Sequence, residues 1–203
     1  MEAQEAADKI QEASEKEVHA NEQFRRRAGV IIGVLAMVLA ITALSTESAN
    51  REVLAANIQS SDTYAFYQAK NIRQTDTQLA ADQLAALLLT QPALPSAARA
   101  AIQKQIDGDR AMVAHFESDP ATSNGKKELL TQAQALDARR AHTEKQLPNF
   151  EIAQGLLQIG IVLGSVSIVA AARWLLWTGV GLGAAALLLL LNGHLLLVEL
   201  PFS

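Results

Sequence analysis

Ala28-Gly29-Val30-Ile31-Ile32-Gly33-Val34-Leu35-Ala36-Met37-Val38-Leu39-Ala40-Ile41-Thr42-Ala43-Leu44-Ser45 carries no charged residue. At about 1.5 Å of rise per helical residue, this run comes close to the roughly 30 Å of a bilayer's hydrocarbon. It predicts transmembrane helix 1 over residues 28–45. Two further apolar runs follow, and they predict spans at 152–172 and 174–198. Only Arg173 separates them, so the second and third spans must be antiparallel neighbours. The predicted fold class is all-α and integral to a membrane: three transmembrane helices, with a long helical extramembrane insert between spans one and two. A secretory signal peptide is the rival reading of residues 28–45, with Ala43-Leu44-Ser45 as a faint cleavage site. The long acidic stretch before the run and the length of the run itself argue against it.

That stretch, residues 1–27, holds Glu2, Glu5, Asp8, Lys9, Glu12, Glu15, Lys16, Glu17 and Glu22 and ends in Arg25, Arg26 and Arg27. Ala3, Ala6, Ala7, Ile10, Ala13 and Val18 recur at helical spacing, a thin stripe that predicts a marginal helix or tail. Arg25–Arg27 and Arg173 fall on the same side of a three-span chain. The excess of basic residues on cytoplasmic faces puts that side in the cytoplasm. Arg139, Arg140 and Lys145 approach span two from the other side, but they belong to a long translocated segment, which weighs less. The expectation is a multi-pass protein with the N-terminus cytoplasmic and the insert and C-terminus extracytoplasmic. Trp174 and Trp177 flank Arg173 as aromatic residues do at a headgroup interface.

Residues 46–148 form the insert. From Val34 to Gln91 there is no Gly or Pro, the main helix breakers. The first span is therefore predicted to continue as one helix to about residue 91, and Ala28–Gln91 would make a rod of roughly 90 Å. Ile58, Ala65, Ile72, Leu79 and Ala86 repeat every seven residues, a coiled-coil period whose companion position is not consistently apolar. Pro92 and Pro95 end the rod. Ser96 is a suitable N-cap for a helix over about 97–117. Asp119-Pro120 and Ser123-Asn124-Gly125 mark a turn, and a further helix over about 126–146 leads to Pro148. Alanine permits close helix approach but gives little hydrophobic energy. An insert this rich in Ala and Gln is expected to need partners.

Composition narrows the function. There is no cysteine, which excludes disulfides, thiolate metal sites and cysteine nucleophiles. With a net charge of -4 and no broad basic face, nucleic acid is not an expected partner. Aromatic residues are 4% of the chain, too few for a base-stacking platform. His19, His115 and His142 are isolated, and Glu15/His19 has no second ligand pair, so no metal or cofactor is expected. No phosphate loop or nucleophile elbow occurs, and the chain is not expected to be an enzyme.

Ser61-Asp62-Thr63-Tyr64-Ala65-Phe66-Tyr67-Gln68-Ala69-Lys70, Leu156-Leu157-Gln158-Ile159 continuing to Ser165, and Arg173-Trp174-Leu175-Leu176-Trp177 resemble domain-of-unknown-function family 4337, a bacterial membrane family. The order of one span, a helical insert and a two-span hairpin is similar too. Members more often carry Trp where this chain has Tyr64. The resemblance implies the topology and a bacterial inner membrane, and it brings no activity.

Three groups of residues are candidates for function. Ser61, Asp62, Tyr64, Tyr67, Gln68 and Lys70 lie on little more than two helical turns, with Tyr64 and Tyr67 i,i+3 neighbours. They form either a polar binding site or a helix–helix contact in which the tyrosine hydroxyls are hydrogen-bonded. Gly29/Gly33, Gly160/Gly164 and Gly179/Gly183 each have the spacing that lets helices approach closely in lipid. Gly179-Val180-Gly181-Leu182-Gly183 is not a dinucleotide loop, because no strand precedes it. His194, with Asn192 and Glu199, is either an ionisable group inside the membrane or a group at its outer interface.

The expected function is a self-associating membrane scaffold or adaptor with lipid, its own copies and a protein partner as its contacts. The alternative is an oligomeric pore or transport component lined by Gln158, Ser165 and His194.

Overall fold

A computed structural model describes residues 2–198, with side chains from His19 onward. Four helices follow one another: α1 (Glu2–Thr90), α2 (Ser96–Glu117), α3 (Lys126–Ala170) and α4 (Arg173–Leu195). The described residues contain no strand. Within α1, α3 and α4 lie three segments long and apolar enough to cross a membrane. The side chains of residues 2–18, and Glu199, lie outside the described residues. The chain divides into two compact units, Met1–Arg51 with His142–Ser203, and Glu52–Ala141.

In the first unit, α1, α3 and α4 share an apolar core. Leu35, Ala153, Leu157 and Ala186 are buried together, with Ile31, Val38 and Leu189 packed against them. Ala49, Phe150 and Leu190 form a second cluster, flanked by Leu147. The outward faces are apolar as well: Val34, Val162 and Leu188 are exposed. Helices that are apolar all round belong in a large core or in lipid. Two buried hydroxyl groups of this unit are satisfied locally. Thr42 donates to the Val38 carbonyl at 2.9 Å, and Ser167 to that of Gly164 at 2.6 Å. Such bonds keep hydroxyl groups acceptable among apolar neighbours.

Pro148 does not end a helix. The expected break before it is absent, and α3 runs through it. A proline inside a helix lacks one donor and crowds the preceding turn. Here its neighbours hold the helix together. Leu147 and Phe150 are packed into the second cluster. Buried Asn149 donates to the Lys145 carbonyl at 3.3 Å and accepts from Asn192 at 2.7 Å. Two other boundaries also differ from expectation. Pro95, rather than Ser96, is the N-cap of α2, which has no side-chain cap. The helix predicted to reach residue 198 ends at Leu195, where Leu196 turns left-handed and the Asn192 side chain bonds both backbone groups of Val198.

The second unit has a thin core. Its buried apolar residues are Ala56, Ala81, Ile106, Leu129 and Ala133, so only Ile106 and Leu129 are large. The α2–α3 turn is fixed by polar contacts instead. Ser118 Oγ donates to Glu128 at 2.6 Å, and the Asp119 amide donates to the same carboxylate at 3.1 Å. Asp119 accepts from the Thr122 amide and hydroxyl. Gly125 is required here, because a Cβ would collide with the Asp119 backbone and the Glu128 carboxylate.

Candidate functional site

The Ser61–Lys70 stretch lies on α1 within the second unit, and its side chains divide between two faces. Tyr64, Tyr67 and Lys70 are half-buried; Ser61, Asp62 and Gln68 are exposed. The inward set meets α2 and α3. Tyr64 Oη donates to Asp137 Oδ2 at 3.0 Å, and Ser60 Oγ donates to Asp137 Oδ1 at 2.6 Å. One turn away Arg140 donates to Asn57 at 2.8 Å, and Arg139 pairs with Glu52. Lys126 Nζ sits 5.6 Å from the Tyr67 ring centre, and Lys70 Nζ 5.4 Å from that of Phe116. Gln74 joins all three helices: it donates to the Val113 carbonyl and to Glu117 at 3.1 Å each and accepts from Lys126 at 2.7 Å.

These contacts set the electrostatics. The hydroxyls of Ser60 and Tyr64 hold the Asp137 carboxyl below its ordinary range. The same Asp137 bond, aided by desolvation, raises the Tyr64 phenol, since ionising it would place two negative charges together. Glu117 is lowered by the Gln74 amide, Asp119 by the Thr122 hydroxyl and Glu128 by the Ser118 hydroxyl. At neutral pH Tyr64 is a fixed donor and Asp137 a fixed acceptor. Both are engaged with each other, and Lys126 is engaged with Gln74. The inward half of the motif is thus a latch between helices. Asp137, Lys126 and Phe116, its partners, went unread in the sequence. The signal for Asp137 is its register: with Leu129, Ala133 and Arg140 it shares the packed face of α3, where an acid needs a partner.

Among the described residues the outward half has no such contacts. Ser61, Asp62 and Gln68 flank Ile58, Ala65, Ile72, Leu79 and Ala86, all of them exposed. Among the described residues the seven-residue repeat is left uncovered.

In the first unit the glycine pairs also divide. A Cβ on Gly160 would lie 3.0 Å from the Gly179 carbonyl oxygen, so α3 and α4 meet backbone to backbone. Gly164 lies against Ile32, and Gly183 against Leu35. Gly29 and Gly33 have nothing within 4 Å. His194 is exposed, its ring 5.0 Å from that of Phe150. Gln158 and Ser165 are exposed on α3. Arg25, Arg26, Arg27, Arg173, Trp174 and Trp177 are all exposed. Arg173 lies over the Phe24 ring at 5.9 Å. Among the described residues no group of three or more His, Asp and Glu could hold a metal ion.

Residues 24–196 match the family described as Domain of unknown function (DUF4337). The match covers most of the 203 residues, and the chain belongs to that family. No match was found among curated proteins or among solved structures.

Proposed function

We propose that this DUF4337 protein is a multi-pass protein of a bacterial inner membrane that self-associates and serves as a structural scaffold or adaptor. In this reading the apolar parts of α1, α3 and α4 are the three spans. The N-terminus and the α3–α4 turn are cytoplasmic, and the second unit is the extracytoplasmic surface that the assembly presents. The all-round apolar character of the helices supports the membrane placement. Arg25–Arg27 and Arg173 support the orientation.

The observation that carries self-association is the exposed repeat Ile58, Ala65, Ile72, Leu79 and Ala86. Copies inserted in one membrane the same way round run parallel. Parallel helices with a seven-residue repeat place identical residues at one height, so the stripe is complementary to itself. Its companion positions, Ser61, Gln68, Thr75 and Asp82, are polar, which makes the seam narrow. The thin core of the second unit and the open Gly29/Gly33 pair support the same reading. The role is non-enzymatic in this proposal, because Tyr64, Tyr67 and Lys70, the inward groups of the Ser61–Lys70 stretch, are occupied in holding helices together. A mass measurement of the detergent-solubilised protein tests self-association; a strict monomer with a stable second unit would overturn it.

A pore is the second reading, favoured by the exposure of Gln158 and Ser165, seven residues apart on α3. Cysteine labelling along α3 distinguishes the two. A helical period of water-accessible positions supports a pore, and uniform protection supports the scaffold.

A further inference from the structure

We propose that the cleft between α1 and the start of α4 binds the phosphate headgroup of an anionic phospholipid. This rests on the membrane reading above and adds a specific ligand site to it. The cleft has a volume of about 400 Å³ and is lined by Gln23, Phe24 and Arg27 from α1 and by Arg173, Leu176 and Trp177 from α4. A neighbouring cleft of about 630 Å³ shares Arg27 and adds Arg26 and Val30.

Four features point to an anion with an apolar tail. First, two guanidinium groups line one cleft. Among the described residues neither Arg27 nor Arg173 has a carboxylate partner, and Arg173 lies over the Phe24 ring. Guanidinium groups pair with phosphate through parallel N–H bonds. Second, α4 opens at this cleft without a side-chain cap and without an acid in its first turn. Its dipole adds favourable potential for an anion there. Third, the wall is apolar where Ile31 and Leu176 line it, and it continues into the exposed Val30 and Val34 of α1. A free phosphate has no use for that surface, whereas an acyl chain does. Fourth, Trp177 is 71% exposed beside the cleft, as an indole placed at headgroup depth would be.

The chain has two tryptophans, Trp174 and Trp177, so tryptophan emission, excited selectively over tyrosine, reports on the start of α4. The full chain is reconstituted in phosphatidylcholine vesicles that contain a small fraction of either brominated phosphatidylglycerol or brominated phosphatidylcholine. The expected result is stronger quenching by the brominated anionic lipid at equal mole fraction. The double variant Arg27→Gln/Arg173→Gln should lower that preference by roughly twenty-five-fold, since each cationic side chain near an anionic lipid surface contributes about fivefold. Arg110→Gln, in α2, should leave it unchanged. Equal quenching by the two lipids in the unaltered protein would overturn the headgroup site and leave the membrane reading standing. Quenching by neither would overturn the membrane reading itself. Loss of the preference on adding inorganic phosphate, but not chloride of equal ionic strength, would assign the cleft to free phosphate and overturn the lipid assignment.

Discussion

Gly160 and Gly179 face each other so closely that a Cβ on Gly179 would lie 2.7 Å from the Gly160 carbonyl oxygen. Backbone cannot yield as the end of a flexible side chain can. Gly179→Leu should therefore separate α3 from α4 and destabilise the first unit by about 1–3 kcal/mol, the usual cost of overpacking. Thermal unfolding in mild detergent reads this as a lowered midpoint. Gly29→Leu is the contrasting variant. Nothing lies within 4 Å of that position, so the midpoint of the isolated chain should hold while the particle mass falls.

The exposed repeat on α1 gives a second prediction. Ile58 and Ile72 are 52% and 61% exposed, so the fold of one chain does not depend on burying them. Ile58→Glu with Ile72→Glu places like charges opposite each other in a parallel pair. The double variant should keep its helical circular dichroism and lose its oligomeric mass. Unchanged mass would show that copies meet elsewhere or not at all.

Acid should loosen the second unit. The carboxyls of Asp137, Glu117, Asp119 and Glu128 are all held below the ordinary range by hydrogen bonds made in the fold. A depressed carboxyl contributes stability that is present above its unfolded pKa, about 4, and is lost as pH falls through the folded value. The helical signal of the second unit should therefore weaken under acid below pH about 4 and stay flat from there to neutrality. Tyr64 acts with the opposite sign. Its raised phenol contributes below its ordinary value of about 10, and that contribution is lost as pH rises through the folded value. Asp137→Asn should reduce the acid limb, leaving the part that Glu117, Asp119 and Glu128 contribute, and remove much of the alkaline one.

Ile106 is 1% exposed and is one of two large apolar side chains in the core of the second unit. Ile106→Ala should cost about 2–4 kcal/mol, transfer and cavity terms together. In a core otherwise made of alanine, that loss should unfold the unit at ordinary temperature. Limited proteolysis between residues 96 and 141 checks it.

How much of this was legible depends on whether the signal was local. The absence of Gly and Pro from Val34 to Gln91 is local, and α1 is unbroken there, ending at Thr90 before Pro92. The three apolar runs are local as well. Pro148 carries an equally local signal, a helix stop, and it misleads. Whether a proline breaks a helix depends on what holds its neighbours, and Phe150 and Asn149 are held by Leu190 and Asn192, some forty residues along the chain. The Ser61–Lys70 stretch shows the same limit. Its helical spacing is readable, yet its inward face is chosen by Asp137, Lys126 and Phe116 on other helices. The heptad positions could be read from spacing; that they stay bare could not. The three glycine pairs are alike in spacing, and only packing shows that two are filled and Gly29/Gly33 is open.

Self-association is tested by the mass of the intact particle in mild detergent, measured by native mass spectrometry. A chain of 21.7 kDa should give one discrete symmetric multiple of that mass, reduced to the single chain by Ile58→Glu with Ile72→Glu. A particle of 21.7 kDa in the unaltered protein, with the second unit folded, would contradict the scaffold reading.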